Sequence, residues 1–338
     1  MAKRPQQQPL VCHGHSRPIV EVNYTPVTPD GYFLVSASKD GNPMVRNGEN
    51  GDWIGTFQGH KGAVWSAHLN SPGLLAATAS ADFSMRVWDA LSGDELHQFQ
   101  HKHIVRTTQF AADNYRLLTG GREKILRIFD VNQPNAEPLQ MTGVTAGIRC
   151  ATWCKNDSLI ITACSDQPNL SVWDVRTASI VRTIETEAPP MSLDTTSDGN
   201  ILTIAEGSSV KFIDLNSLSV IKSFATEHAT ETAALSLDKN RFCYGGEDMW
   251  VYLCDYTTGE NLETLRGHHG PVHSVKFAPG GETFASGSED GTIRLWKTES
   301  TEEDGVRCRL VLYLWLCIYC CLGPRAICAV RPAVPLPR

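Results

Sequence analysis

The sequence predicts an all-β fold, a seven-bladed β-propeller whose ring is closed by its own N-terminal strand. The first observation is a period. A Trp-Asp dipeptide, intact or degraded, ends a short apolar segment at Trp88-Asp89, Phe129-Asp130, Trp173-Asp174, Ile213-Asp214, Cys254-Asp255 and Trp296-Lys297, and Arg46-Asn47 marks an eroded seventh end. The intervals are 42, 41, 44, 40, 41 and 42 residues, the length of one four-stranded blade. The second is a Gly-His dipeptide upstream, clearest at Gly59-His60 and Gly267-His268. The third lies inside the repeat. Val272 to Phe277, Thr283 to Ser288 and Thr292 to Trp296 have strand length, and Pro279-Gly280-Gly281 and Glu289-Asp290-Gly291 separate them as turns.

A lone four-stranded blade cannot bury both of its faces, so neighbouring blades must stack, and a closed ring leaves no unprotected sheet edge at its ends. The final repeat supplies only three strands before Trp296, and Gln8-Pro9-Leu10-Val11-Cys12 is the candidate for the missing outer strand. This divides the chain into a flexible N-terminus at 1–7, the propeller at 8–297 and an atypical tail at 298–338.

The last repeat carries the full polar set His268, Ser286, Asp290 and Trp296, and repeat two matches it with His60, Thr78, Asp82 and Trp88. In both, 22 residues separate the His from the Asp. Repeat three keeps His101, Thr119 and an acid at Glu123, while repeat four has Val144 for the His but retains Thr162, Asp166 and Trp173. Repeat one has His15, Ser36 and Asp40, with three extra residues around Thr25-Pro26-Val27-Thr28-Pro29, and repeats five and six are worn further. This is the WD40 pattern.

His268, Ser286 and Asp290 are also the residue types of a hydrolase triad. A set that recurs with Trp in another repeat serves the fold instead, because an active site is needed once. Such a buried chain of donors and acceptors pins a strand to the turn beside it, each bond contributing about 1 kcal/mol net. No Walker loop, dinucleotide glycine fingerprint or HExxH motif is present. No catalytic residue, cofactor or metal is therefore expected. In the pairs His13 with His15, His101 with His103, and His268 with His269, one member already fills the repeat's Gly-His slot.

A net charge of −7 argues against general nucleic-acid binding. Met1 to Gln8 is polar and no apolar stretch of signal-peptide length follows, so the expected location is the cytoplasm, with the nucleus second. The glycosylation-type triplets at Asn23, Asn156 and Asn169 are then chance matches. Six of the eleven cysteines are scattered without paired spacing, which suits reduced thiols. The other five lie in the last 31 residues, beyond the acidic stretch Glu299 to Asp304 and partly within the apolar run Leu310 to Leu322. That run is short for a bilayer, so no membrane span is expected. Cys317 and Cys320 have CxxC spacing but no second ligand pair. The tail has two readings, a selected segment or a stretch of translated intron or frame error.

Several strings are more specific than a generic repeat. Gly51-Asp52-Trp53-Ile54-Gly55-Thr56-Phe57 followed by Gly59-His60-Lys61-Gly62-Ala63-Val64-Trp65, Ser92-Gly93-Asp94-Glu95-Leu96 before His101-Lys102-His103-Ile104-Val105, Leu117-Leu118-Thr119-Gly120-Gly121, Asn135-Ala136-Glu137-Pro138 and Ser286-Gly287-Ser288-Glu289-Asp290-Gly291-Thr292 are of this kind. With them, roughly residues 8 to 297 resemble the serine/threonine kinase receptor-associated family of WD40 proteins. The resemblance implies a non-enzymatic adaptor with two sets of partners. One is the survival-of-motor-neuron complex, which loads Sm proteins onto spliceosomal RNAs for mRNA splicing; the other is the TGF-β receptor and Smad proteins, whose signalling the family restrains. The propeller subunit of translation initiation factor three is the nearest alternative, with a similar seven-repeat plan and a Gly-His-x-Gly-Ala-Val-Trp junction. A ubiquitin-ligase substrate receptor is a third reading, against which no F-box or other docking helix is evident outside the ring.

Trp65, Arg106, Arg149 and His273 hold equivalent positions on successive inner strands, so they are expected around one mouth of the central channel. Trp and Arg are the types most enriched in binding hot spots, which makes these four the candidate partner-binding residues. The competing reading is that Trp65 packs on its own blade and the arginines are simply solvated. Pro43-Met44-Val45-Arg46 is a second surface candidate, since a proline there can loosen the first blade, with simple wear as the alternative.

Overall fold

Each repeat folds as an up-and-down meander of four antiparallel strands, and the computed structural model, which describes residues 7–298, sets seven such sheets in a ring as a β-propeller. The innermost strands are β2 (Ile19–Tyr24), β6 (Val64–Leu69), β10 (Val105–Phe110), β14 (Ile148–Cys154), β18 (Pro190–Thr195), β22 (Thr230–Leu235) and β26 (Val272–Phe277). They open blades 1 to 7 in that order. Among the described residues no helix is long and apolar enough to cross a membrane.

The seventh blade is shared between the two ends of the array. Its order is β1 (Leu10–Cys12), β28 (Ile293–Lys297), β27 (Thr283–Ser288) and β26, with Leu10 opposite Leu295, Val11 opposite Arg294 and Cys12 opposite Ile293. The closing strand is shorter than the five residues read from the sequence. The pairing is nevertheless extended by Gln7, whose side-chain amide donates to the Lys297 carbonyl at 3.1 Å and accepts from its N–H at 3.2 Å. Thr298 is also tied in, its N–H donating to the Glu282 carbonyl at 2.9 Å. Gln7 and Thr298 are thus both hydrogen-bonded into this blade. Residues 1–6 and 299–338, with the two readings of the tail, lie outside the described residues.

Side chains point alternately to the two faces of a strand, and both faces of the inner three strands of each blade are largely covered, while outer strands such as Trp53–Thr56 and Ser219–Ala225 are mostly exposed. Seven buried clusters result, one between each pair of neighbouring sheets. The cluster joining the last blade to the first contains Cys12, Ile19, Val22, Leu34, Ala285, Ile293 and Leu295. Trp88, Trp173 and Trp296 are the largest fully buried side chains, each worth about 1.5–3 kcal/mol of apolar burial. Gly51, at φ +72°, makes room for the closing strand, because a Cβ there would strike the Cys12 thiol and the Leu10 methyl.

Inner strands have a free backbone edge toward the channel, and side chains of neighbouring blades satisfy part of it. The Val22 N–H donates to Ser274 Oγ at 3.1 Å, the Val275 N–H to Thr232 Oγ1 at 3.0 Å, and the Ala67 N–H to Glu21 at 3.0 Å. Each inner strand also carries a bulge at its second residue, where the register jumps from Ile19 to Glu21, Val64 to Ser66, Val105 to Thr107, Ile148 to Cys150, Pro190 to Ser192, Thr230 to Thr232 and Val272 to Ser274.

The first blade is not loosened at Pro43. Arg46 sits opposite Leu34 as Trp88 sits opposite Ala76, so an arginine takes the tryptophan's place in the blade. It is 4% exposed, and its guanidinium donates to the carbonyls of Gly51 and His13. Met44 and Val45 are buried as well. Pro43 precedes the strand, and its carbonyl accepts from the Phe57 N–H at 2.9 Å. The segment 43–46 therefore offers no partner a surface.

A chain beginning at His13 tests the closure. It should melt several degrees lower and elute partly as larger species, since β28 would present an unpaired edge. Unchanged melting and a single monomer peak would show that the ring does not need β1.

Candidate functional site

The recurrent polar set is a relay from loop to strand to turn. In blade 2, His60 Nδ1 lies 2.8 Å from Asp82, His60 Nε2 lies 2.7 Å from Thr78 Oγ1, and the Trp88 indole N–H donates to Thr78 at 2.8 Å. Blade 7 repeats it with 3.0 Å between His268 and Asp290, 2.8 Å between His268 and Ser286, and 2.8 Å from the Trp296 indole to Ser286. Gly59, at φ +154°, precedes the histidine where a Cβ would meet Arg86 at 2.8 Å. His15 bonds Asp40 and Ser36 at 2.8 Å each in blade 1. His101 reaches Thr119 at 3.0 Å but turns its other nitrogen to the Phe99 carbonyl at 3.2 Å. Its acid, Glu123, instead accepts from the Lys102 N–H and from Arg127.

The side chains of His60 and His268 are 0% and 1% exposed, and both ring nitrogens of each are engaged inside the relay. Burial opposes charge on Asp82 and Asp290, but hydrogen bonds from His60 and Ser84 in one case, and from His268 and the His269 N–H in the other, hold both well below the usual carboxylate range. Burial, and then the Arg127 charge, push His101 down to about 4.

Trp65, Arg106, Arg149 and His273 do come together, around one mouth of the channel, in a cavity of about 340 Å³. Each is the bulged second residue of its inner strand, and a bulge re-aims a side chain out of the pleat. The equivalent residues Val20, Met191 and Glu231 line the same mouth. The repeat alignment that found the first four also contains these three. The Arg106 guanidinium lies 3.9 Å from the Trp65 ring centroid, so Trp65 is packed by the next blade's arginine. Burial, and then the Arg149 charge, draw Arg106 down to about 10, still cationic at neutral pH. Arg149 donates to the Met191 carbonyl at 3.2 Å.

His273 faces the other way electrically. It lies 2.5 Å from Glu231 and 2.6 Å from Glu289, and Lys39 lies 3.3 Å from Glu289. Burial resists its protonation, but the hydrogen bonds with the two carboxylates outweigh that and raise its pKa. Lys39 and Glu289 were not singled out from the sequence. Their signal is positional, since each immediately precedes an acid of the polar set, Asp40 and Asp290. Deeper in the channel, Lys276 of blade 7 pairs with Asp194 of blade 5.

The WD domain, G-beta repeat family matches residues 6–45, 51–89 and 259–297. Over 313 residues the chain is 48% identical to the serine-threonine kinase receptor-associated protein of Mus musculus, covering 93% of this chain and 87% of the relative. The protein of that name in Dictyostelium discoideum is 45% identical over 291 residues, 86% of this chain and 99% of the relative. The chain belongs to the serine-threonine kinase receptor-associated protein family. Likeness to eukaryotic translation initiation factor 3 subunit I is more distant, at 29% over 324 residues with the Nematostella vectensis protein, 88% of this chain and 98% of that relative.

In this member of the family, Trp88→Phe keeps the aromatic bulk but removes the donor to Thr78, and should cost about 1–2 kcal/mol in denaturant unfolding. No loss would mean the relay is incidental to stability. Stability should also fall with acid in two windows. His101 is held neutral by the fold, so its contribution is complete above about pH 6.5 and is lost toward about pH 4. Asp82 and Asp290 have lowered values, so theirs is complete above about pH 4 and is lost below it. Unfolding measured across pH should show Asp82→Asn flattening the lower window alone; an unaltered acid limb would remove Asp82 from the account.

Proposed function

We propose that this chain is a non-enzymatic adaptor that engages protein partners through the Trp65–Arg106–Arg149–His273 mouth. The observation that carries the reading is the mouth itself. The inner-strand bulges direct their side chains to one opening, and a tryptophan and an arginine, the residue types of binding hot spots, are stacked there. The relatives' name, association with a serine-threonine kinase receptor, supports a receptor-linked role, and the family resemblance makes that role the restraint of TGF-β receptor and Smad signalling. The family resemblance supports the second role, in the survival-of-motor-neuron complex that serves spliceosomal particle assembly. Both roles place the protein in the cytoplasm, with the nucleus second.

The test is affinity capture from cytosol with the tagged full chain, alongside Trp65→Ala and Arg106→Ala. Survival-of-motor-neuron components, or TGF-β receptor and Smad proteins, should co-purify, and each substitution should weaken capture by about 2 kcal/mol or more without lowering the melting temperature. Recovery of initiation-factor subunits instead would transfer the chain's role to translation. Capture untouched by either substitution would sink the mouth as the partner site.

A further inference from the structure

Charge at this mouth is divided. Arg106 and Arg149 line the same opening, Arg149 lies close enough to act on the Arg106 charge, and Arg122, from the turn of the same blade as Arg106, adds a third charge to the group. Among the described residues no carboxylate pairs with any of the three; the ion pairs of blades 3 and 4 involve other arginines, Arg116 and Arg127. On the opposite arc blade 6 carries Glu231 on its inner strand and Glu227, Glu247 and Asp248 in the loops beside it. Of these, Glu231 is engaged by His273 and Asp248 accepts the Tyr252 hydroxyl.

The basic arc is also an excess of donors. Arg106 stacks on Trp65, which fixes its plane and points its N–H groups outward in that plane, where no acceptor meets them among the described residues. Arg149 uses one donor on the Met191 carbonyl. Trp65 Nε1 and Ser192 Oγ, both from residues lining the mouth, are buried without a hydrogen-bond partner among the described residues. A carboxylate is acceptor-only, and it pairs with guanidinium through two parallel bonds.

We propose that the Arg106, Arg122 and Arg149 arc is a docking site for an acidic peptide segment, whose Asp or Glu carboxylates lie against the guanidinium groups. The inference rests on the mouth being the partner-binding surface and adds the partner's chemistry. Single-stranded RNA would also use arginine and a tryptophan face. The acidic arc across the same opening disfavours it, because a continuous line of phosphates leaving the arginines would run onto Glu227, Glu231 and Glu247. A peptide can place its acids on one side only, and can carry a cationic residue for the other.

The experiment is fluorescence anisotropy of a fluorescein-labelled glutamate hexamer with the full chain, with lysine and uridine hexamers as comparison probes. The glutamate hexamer should bind in a salt-sensitive manner. Arg106→Gln and Arg149→Gln should each weaken it about tenfold or more, while Arg176→Gln, at the far end of blade 4, leaves it unchanged. Equal binding by Arg106→Gln and Arg176→Gln overturns the proposal, as does Arg106-dependent binding of the uridine hexamer in place of glutamate. The two readings fail separately. If Trp65→Ala abolishes capture of the cellular partners but the glutamate hexamer neither binds nor competes, the mouth stands and the acidic peptide falls; if Trp65→Ala leaves capture intact, the mouth itself falls.

Discussion

Each blade of this propeller depends on the two beside it, and the three residues Leu10–Cys12 make neighbours of the first and the last. A twisted four-stranded sheet has two apolar faces and no third layer of its own. Its burial is complete only when a ring returns to its start. Seven interface clusters exist because β1 takes the open edge of β28, and the cluster between blades 7 and 1 holds Cys12 from the N-terminal strand beside Ile293 and Leu295 from the last. The closing ladder is short, so the chain supports it on both flanks. Gln7 extends it toward Lys297, and the φ +72° glycine at position 51 lets the first blade's outer turn lie against it. Stability is therefore cooperative around the ring.

That cooperativity explains why the polar relays can erode. The His-Ser/Thr-Asp-Trp chain is intact in blades 2 and 7 but not elsewhere, and each departure has a different remedy. Blade 1 substitutes a buried arginine that bonds two carbonyls, though its Nε is left without a partner. Blade 5 replaces the relay with Lys211, held 2.5 Å from Glu206 and 2.8 Å from Glu187. Blade 4 retains only the Trp173 to Thr162 bond, at 2.9 Å, from the strand half of the relay. What a blade requires is that the buried polar groups between its entry loop and its turn be mostly paired. Many residue sets meet that condition. It follows that the histidines of this pattern answer to the architecture, and their recurrence carries no information about partners.

Legibility in the sequence followed the same division. The ring, the number of blades and the closing strand were readable because a period of about forty residues survives the loss of individual motif residues. The length of the closing strand was not, since a ladder's end depends on which backbone groups its partner still has free. In the sequence Arg46 reads either as simple wear or as part of a loosened surface, and it proves to be a buried replacement; nothing local announces that a guanidinium will find the Gly51 and His13 carbonyls. At the mouth, repeat alignment located Trp65, Arg106, Arg149 and His273 together, but could not show that Arg106 stacks on Trp65 or that His273 is claimed by two carboxylates. Those are contacts between blades, and the alignment of a repeat with itself is blind to what lies across an interface.

The bulge in each inner strand separates what the fold demands from what a partner can use. The residue before it is Ile19, Val64, Val105, Ile148, Thr230 and Val272 in six of the blades, all β-branched and all no more than 2% exposed. Packing fixes that position narrowly. The bulged residue one step later is Val, Trp, Arg, Arg, Met, Glu and His around the ring, a range that no shared packing role would allow. Lifted out of the pairing register, it is released from the constraint that governs its neighbour. The chemistry at the mouth can then diverge between relatives with the same ring, and a stacked tryptophan and arginine beside an unneutralised arginine are the form it takes in this chain.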